Sequence, residues 1–150
     1  MQSKPAFRWI AAAAVASLLG CATGAKSGPP GAVTIQSCAG SSCDLVVRDG
    51  LDDHGQCQVE VVDRTDVSGH DVKMTWRMDA AASAKGYKFA TYGIVINDYD
   101  PPRNFDSPKF RPDEVSWHNR NDGAHEYKYT VYATRYDIPC KPLDPYIRNQ

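Results

Sequence analysis

The 150-residue sequence predicts an all-β fold, an antiparallel β-sandwich. Three observations predict it. Several stretches alternate apolar and polar side chains with a period of two, clusters of turn-forming residues separate short β-branched runs, and after residue 31 only residues 79–85 (DAAASAK) favour a helix. A period of two sends successive side chains to opposite faces, which suits a strand with one face in a core and one in water. Many short strands with turn signals between them suggest two packed sheets.

The elements follow in chain order. Residues 32–37 and 45–48 are short β-branched runs, and residues 50–55 (GLDDHG) form a turn cluster. Residues 57–63 alternate, with Cys57, Val59 and Val61 on one face and Gln58 and Glu60 on the other. Residues 72–78 alternate better still: Val72, Met74, Trp76 and Met78 oppose Lys73, Thr75 and Arg77. Tyr87, Phe89, Ile94 and Ile96 resume the apolar pattern around Gly93, where a bend or bulge is expected. Residues 98–112 (DYDPPRNFDSPKFRP) predict a long loop. Each of its four prolines removes a ladder donor, so a central strand is excluded. Residues 115–119 make a short strand holding Trp117, and the RNDG sequence at 120–123 favours a tight hairpin. The longest strand, residues 126–136, follows. It carries Tyr127, Tyr129, Val131 and Ala133 on one face and Lys128, Thr130, Tyr132 and Thr134 on the other. The tail after Cys140 has two prolines and is expected to lie along the domain without adding much sheet. The expected core is Val59, Val61, Met74, Trp76, Ile94, Ile96, Trp117, Tyr127, Tyr129 and Val131. Fully burying each aliphatic of that set stabilises by roughly 1.5–3 kcal/mol.

Two local features resemble immunoglobulin-like domains. The run from Asp122 to Tyr127 (DGAHEY) resembles a tyrosine corner, and Trp76 after Cys57 resembles the core tryptophan of a third strand. The position of the second cysteine of an antibody-type domain is filled by Tyr129, so the usual inter-sheet bridge is not expected. The resemblance implies an immunoglobulin-like or other Greek-key sandwich in a loose sense.

The amino terminus carries a different signal. Residues 1–8 hold Lys4 and Arg8 and no acid, residues 9–19 are apolar apart from Ser17, and Leu18-Leu19-Gly20-Cys21 follows. The apolar run is too short to span a bilayer, which takes about 20 residues, and has the length of a secretory signal core. The pattern resembles the lipobox of bacterial lipoproteins. That resemblance implies a signal helix over residues 1–20, cleavage between Gly20 and Cys21, a diacylglycerol thioether on the Cys21 sulfur and acylation of the new amino terminus. Two or more acyl chains hold a protein stably on a membrane where one does not. By resemblance to Gram-negative lipoproteins, Ala22 in place of Asp implies the outer membrane, facing periplasm or surface. Residues 21–31 read as a Gly/Ser/Pro-rich flexible tether, and residues 32–150 as the β-sandwich domain.

Removing residues 1–20 deletes Lys4 and Arg8 and no acid, so 15 basic side chains face 18 acidic ones, a net charge of −3. That balance speaks against a nucleic-acid partner, which needs a basic face. Four cysteines remain: Cys38, Cys43, Cys57 and Cys140. An even number in an oxidising compartment predicts two disulfides, with three connectivities open. The pairing Cys38–Cys43 with Cys57–Cys140 is the expectation: one closes a tight loop, the other ties an early strand to the end of the chain. A zinc site is disfavoured, because no second cysteine pair completes four ligands.

Candidate chemistry is sparse. No nucleophile motif is present, so no catalytic residue is assigned, no enzyme is predicted and no cofactor is expected. His118 and His125 flank the RNDG turn and with Asp122 could meet a metal if a hairpin pairs them. Asp98, Asp100 and Asp106, with Asn97 and Asn104, offer oxygen ligands for calcium, but their spacing is not that of an EF-hand. Neither set is taken as a metal site. The outward face of the last long strand is the better binding candidate. Tyr132, Thr134 and Tyr136 lie on it, and Tyr87, Tyr92 and Tyr99 could extend it, with the loop acids Asp98 and Asp100 nearby. Exposed tyrosine supplies large amphipathic contact area. The expectation is a lipid-anchored, non-enzymatic binding or assembly module whose partner is an envelope protein or the cell wall. A small envelope hydrolase or hydrolase inhibitor and a metal-binding envelope protein are the alternatives.

Overall fold

Two sheets face each other across Trp76 and Tyr129, whose rings meet edge to face with centroids 5.3 Å apart. This is a computed structural model, and it describes residues 32–97 and 104–150. The signal segment, Cys21, the tether, Asp98, Tyr99 and Asp100 lie outside the described residues.

The first sheet runs β1 (Ile35–Cys38), β4 (Arg64–Val67), β11 (Tyr146–Asn149), β9 (His125–Arg135) and β10 (Ile138–Pro139), and β6 (Tyr87–Ile96) pairs with β9. The second runs β3 (Cys57–Glu60), β2 (Ser42–Leu51), β5 (Val72–Met78), β8 (Glu114–Asn119) and β7 (Phe105–Phe110). The all-β sandwich follows from the alternation read in the sequence. Val72, Met74, Trp76 and Met78 of β5 are buried, as are Tyr127, Tyr129, Val131 and Ala133 of β9. Of the expected core, only Val61 and Trp117 stay partly exposed.

The sheets are mixed where an antiparallel pattern was expected. β1 with β4, β4 with β11, and β2 with β5 run parallel. Each of these pairs joins strands that are not consecutive in sequence, and hairpin reasoning cannot reach such pairings. β4 was not foreseen. Its four residues (RTDV) carry two charges, which pair with each other, Arg64 Nε to Asp66 Oδ1 at 2.9 Å.

Four further expectations change. The RNDG segment does not make a hairpin, because β8 and β9 belong to different sheets. The chain crosses the sandwich there through Asn121, which is left-handed at φ 54° and buried, its side-chain amide donating to the carbonyls of Val67 and Gly69. The second half of the proline-rich loop is strand β7, although an edge one. Its ladder with β8 slips between Asp106 and Lys109, around Ser107 and Pro108. An edge position and a bulge are the places where a proline is tolerated in a sheet. The tail also contributes more than expected: β11 lies inside the first sheet between β4 and β9, and Ile147 and Asn149 are buried. Finally, Tyr127 does not close a tyrosine corner. Its hydroxyl accepts a bond from the Asn104 amide, 23 residues upstream.

The disulfides pair as expected, Cys38 with Cys43 and Cys57 with Cys140. Both staple one sheet to the other. The first joins β1 to β2 across a turn, and the second joins β3 to the residue after β10. The helix-prone piece forms α1 (Ala80–Ala84), capped by Asp79, whose carboxylate accepts from the backbone N–H groups of Ala81 and Ala82. Among the described residues no helix is long and apolar enough to cross a membrane.

Candidate functional site

The ladder between β6 and β9 breaks at one place. Phe89 faces Ala133 and Ile94 faces Val131, so the four residues from Ala90 to Gly93 stand opposite the single residue Tyr132. The bulge expected at Gly93 is therefore larger than one extra residue. Gly93 is where it closes: a Cβ there would sit 2.6 Å from the Cβ of Phe89, so the backbone can return to register only without a side chain.

The bulge pushes Tyr92 outward. Its side chain is 67% exposed but not loose. The Tyr92 ring meets Phe110 edge to face at 5.7 Å, and Phe110 meets Trp117 the same way at 6.2 Å. The Trp117 indole N–H donates to the Ile94 carbonyl at 3.3 Å. This aromatic ladder runs from the bulge to the strands of the second sheet. It holds a large exposed ring in place, which lowers the entropy lost when a partner binds.

A hollow lies on each side of the bulge. One, of about 350 Å³, is lined by Ala90, Thr91, Tyr92, Val95 and Tyr132 and has no charged side chain. The other, of about 450 Å³, is lined by Lys88, Phe89, Phe110, Arg111, Thr134 and Asp137, together with Ala90 and Thr91. Lys88 Nζ is held by Asp137 Oδ1 at 2.5 Å, so that pair is neutral overall. The exposed Arg111 guanidinium has no partner among the described residues, and the buried Thr134 hydroxyl has none either. One uncompensated positive side chain, Arg111, thus lines this small space.

The tyrosines expected on the outward face separate into three groups. Tyr132 and Tyr92 come together at the bulge. Tyr87 does not extend the surface: it is 4% exposed, and its hydroxyl donates to the Gly50 carbonyl at 3.1 Å. Tyr136 is exposed but belongs to the β9–β10 turn, where the Arg135 guanidinium stacks between it and Tyr87. Arg111 and Lys88 escaped sequence reasoning, because what places them beside Thr134 is strand pairing and a return from the opposite sheet. Gly93 was the one available signal.

The two histidines end up in different sheets and are not brought together, since His118 is on β8 and His125 on β9. His118 instead lies between Asp106 and Asp71, with Nδ1 3.1 Å from Asp106 Oδ1 and Nε2 3.4 Å from Asp71 Oδ1. Asp106 is also gripped by Arg120 at 2.6 Å, and this bond above all holds its carboxyl below the usual carboxylate range. Among the described residues no group of three acidic, histidine or cysteine side chains is placed to hold a metal.

No protein-family model matches this chain, and the comparison with curated proteins gives no match.

Proposed function

We propose that the protein is a lipid-anchored envelope lipoprotein whose β-sandwich binds a partner and carries out no catalysis. The membrane anchor is the acylated Cys21, on the outer membrane. The observation that carries the binding part is the braced pair Tyr92 and Tyr132 at the β6 bulge, flanked by two hollows. Rigid exposed aromatics beside small concave spaces are what ligand and partner surfaces are made of. The net charge of −3 after processing supports a partner other than nucleic acid.

The full chain, expressed in a bacterium with an outer membrane, tests both parts. Mass spectrometry of the detergent-extracted protein is expected to find an amino-terminal Cys21 carrying acyl groups; an uncleaved, unmodified amino terminus overturns the anchor. Crosslinking in intact envelopes is expected to recover an envelope component that Tyr92→Ala combined with Tyr132→Ala loses. Recovery of monomer alone overturns the binding reading.

A further inference from the structure

We infer that the two hollows at the β6 bulge take consecutive units of a cell-wall glycan strand, a neutral amino sugar against Tyr92 and Tyr132 and a carboxylate-bearing one against Arg111. This rests on the binding-module reading above and names its ligand.

The two spaces share the Ala90–Thr91 saddle, so one chain can lie across both. Their chemistry differs in the way an alternating glycan does. The tyrosine hollow has aromatic faces and no charge, which suits the apolar face of a neutral sugar ring. The second adds one uncompensated guanidinium, because Lys88 is already occupied by Asp137. A guanidinium stays charged at any pH the protein meets and offers paired donors that match a carboxylate.

Addition of a peptide strand fits less well. The bulge breaks the register of β6. Its backbone groups are partly used, since Phe89 N–H donates to the Pro112 carbonyl at 2.7 Å and the Ile94 carbonyl receives the Trp117 indole. Strand addition needs those groups free along a regular edge.

The test uses the full-length protein in detergent micelles and two probes. One is the disaccharide of N-acetylglucosamine and N-acetylmuramic acid; the other is diacetylchitobiose, which lacks the carboxylate. Titration calorimetry is expected to give the acidic disaccharide an affinity roughly tenfold higher, the size of one charge-assisted contact. Arg111→Ala is expected to erase that preference. Arg111 is exposed, so its loss leaves the fold intact, which circular dichroism checks. Asp137→Asn frees Lys88 and is expected to raise affinity for the acidic probe alone, and Tyr92→Ala to weaken both probes. Equal binding of the two sugars, or a preference that survives Arg111→Ala, overturns the carboxylate assignment. Failure of both sugars while crosslinking still recovers an envelope protein overturns the glycan and leaves the binding module standing. Failure of sugars and crosslinking together removes both.

Discussion

The ring of Tyr136 lies on Gly86. A Cβ at Gly86 would stand 2.4 Å from Tyr136 Cε1, and the Tyr136 N–H donates to the Gly86 carbonyl at 3.0 Å. Gly86 itself is left-handed at φ 82°, as it follows α1, and Tyr136 and Asp137 are left-handed at φ 50° and 65° in the two-residue turn between β9 and β10. Glycine is the residue that takes such a conformation without strain, and two left-handed centres match the twist of a hairpin. Gly86→Ala therefore meets both a backbone and a packing penalty and is expected to destabilise by about 1–3 kcal/mol. Urea unfolding reads this as a lower midpoint at unchanged slope; no change in midpoint would show that the turn adapts freely.

The two disulfides close loops of very different length, with sequence separations of 5 and 83. In the chain-entropy account the longer one restricts the unfolded chain more, by roughly 4.5 against 2 kcal/mol. Replacing both Cys57 and Cys140 with alanine is expected to cost about 2–3 kcal/mol more than the same replacement of Cys38 and Cys43. Thermal melts of the two double variants compare them directly, and equal losses would refute the ordering.

Asn119 of β8 and Asn149 of β11 bond reciprocally across the sandwich, at 2.8 and 3.2 Å, and both are buried. Asn119 Oδ1 also accepts the backbone N–H of Asn121, where the chain crosses between sheets. Asn149→Ala strands a buried amide, at a cost of about 1–3 kcal/mol. The double variant Asn119→Leu with Asn149→Leu is expected to cost less than the sum of the two single changes, because neither leaves the other unpaired. Strict additivity in denaturant unfolding would mean the pair is not coupled.

Acid should weaken the fold in a defined direction. Asp106 is held below the usual carboxylate range by Arg120 first, Asp52 by the Gln56 backbone N–H first, and Asp144 by the Thr130 hydroxyl first. A carboxyl whose folded value is depressed contributes stability that is present above its unfolded value, about 3.9 for aspartate, and is lost as the pH falls through the folded value. Unfolding midpoints are thus expected to decline below about pH 4, with a shallower acid limb in Asp106→Asn. Burial raises the Tyr129 hydroxyl, so the opposite limb appears in alkali, beginning as the pH passes about 10, where the unfolded chain ionises first. An acid limb identical in Asp106→Asn would remove that residue from the account.

Much of the architecture was readable residue by residue. Strand β5 has the predicted bounds, 72–78, because its alternation is uninterrupted, and Asp79 followed by alanines announced α1. Gly93 marked the bulge. Of the three connectivities the sequence left open, the expected one, with one short and one long loop, is the one formed. Less of the candidate site was readable. Tyr132 was named from its place on the polar face of β9 and Tyr92 as a possible extension, but Arg111, Lys88 and the Phe110–Trp117 brace were not, since no local pattern links them.

The division has a physical cause. Periodicity, capping, turn chemistry and cysteine number are set by neighbours a few residues apart, and these fixed the all-β class, helix α1 and most strand positions. Which strands lie side by side is decided by long-range burial. Only the assembled sandwich put β11 inside a sheet, sent β8 and β9 to opposite layers, buried Tyr87 while leaving Tyr92 outside, and set Arg111 beside Thr134.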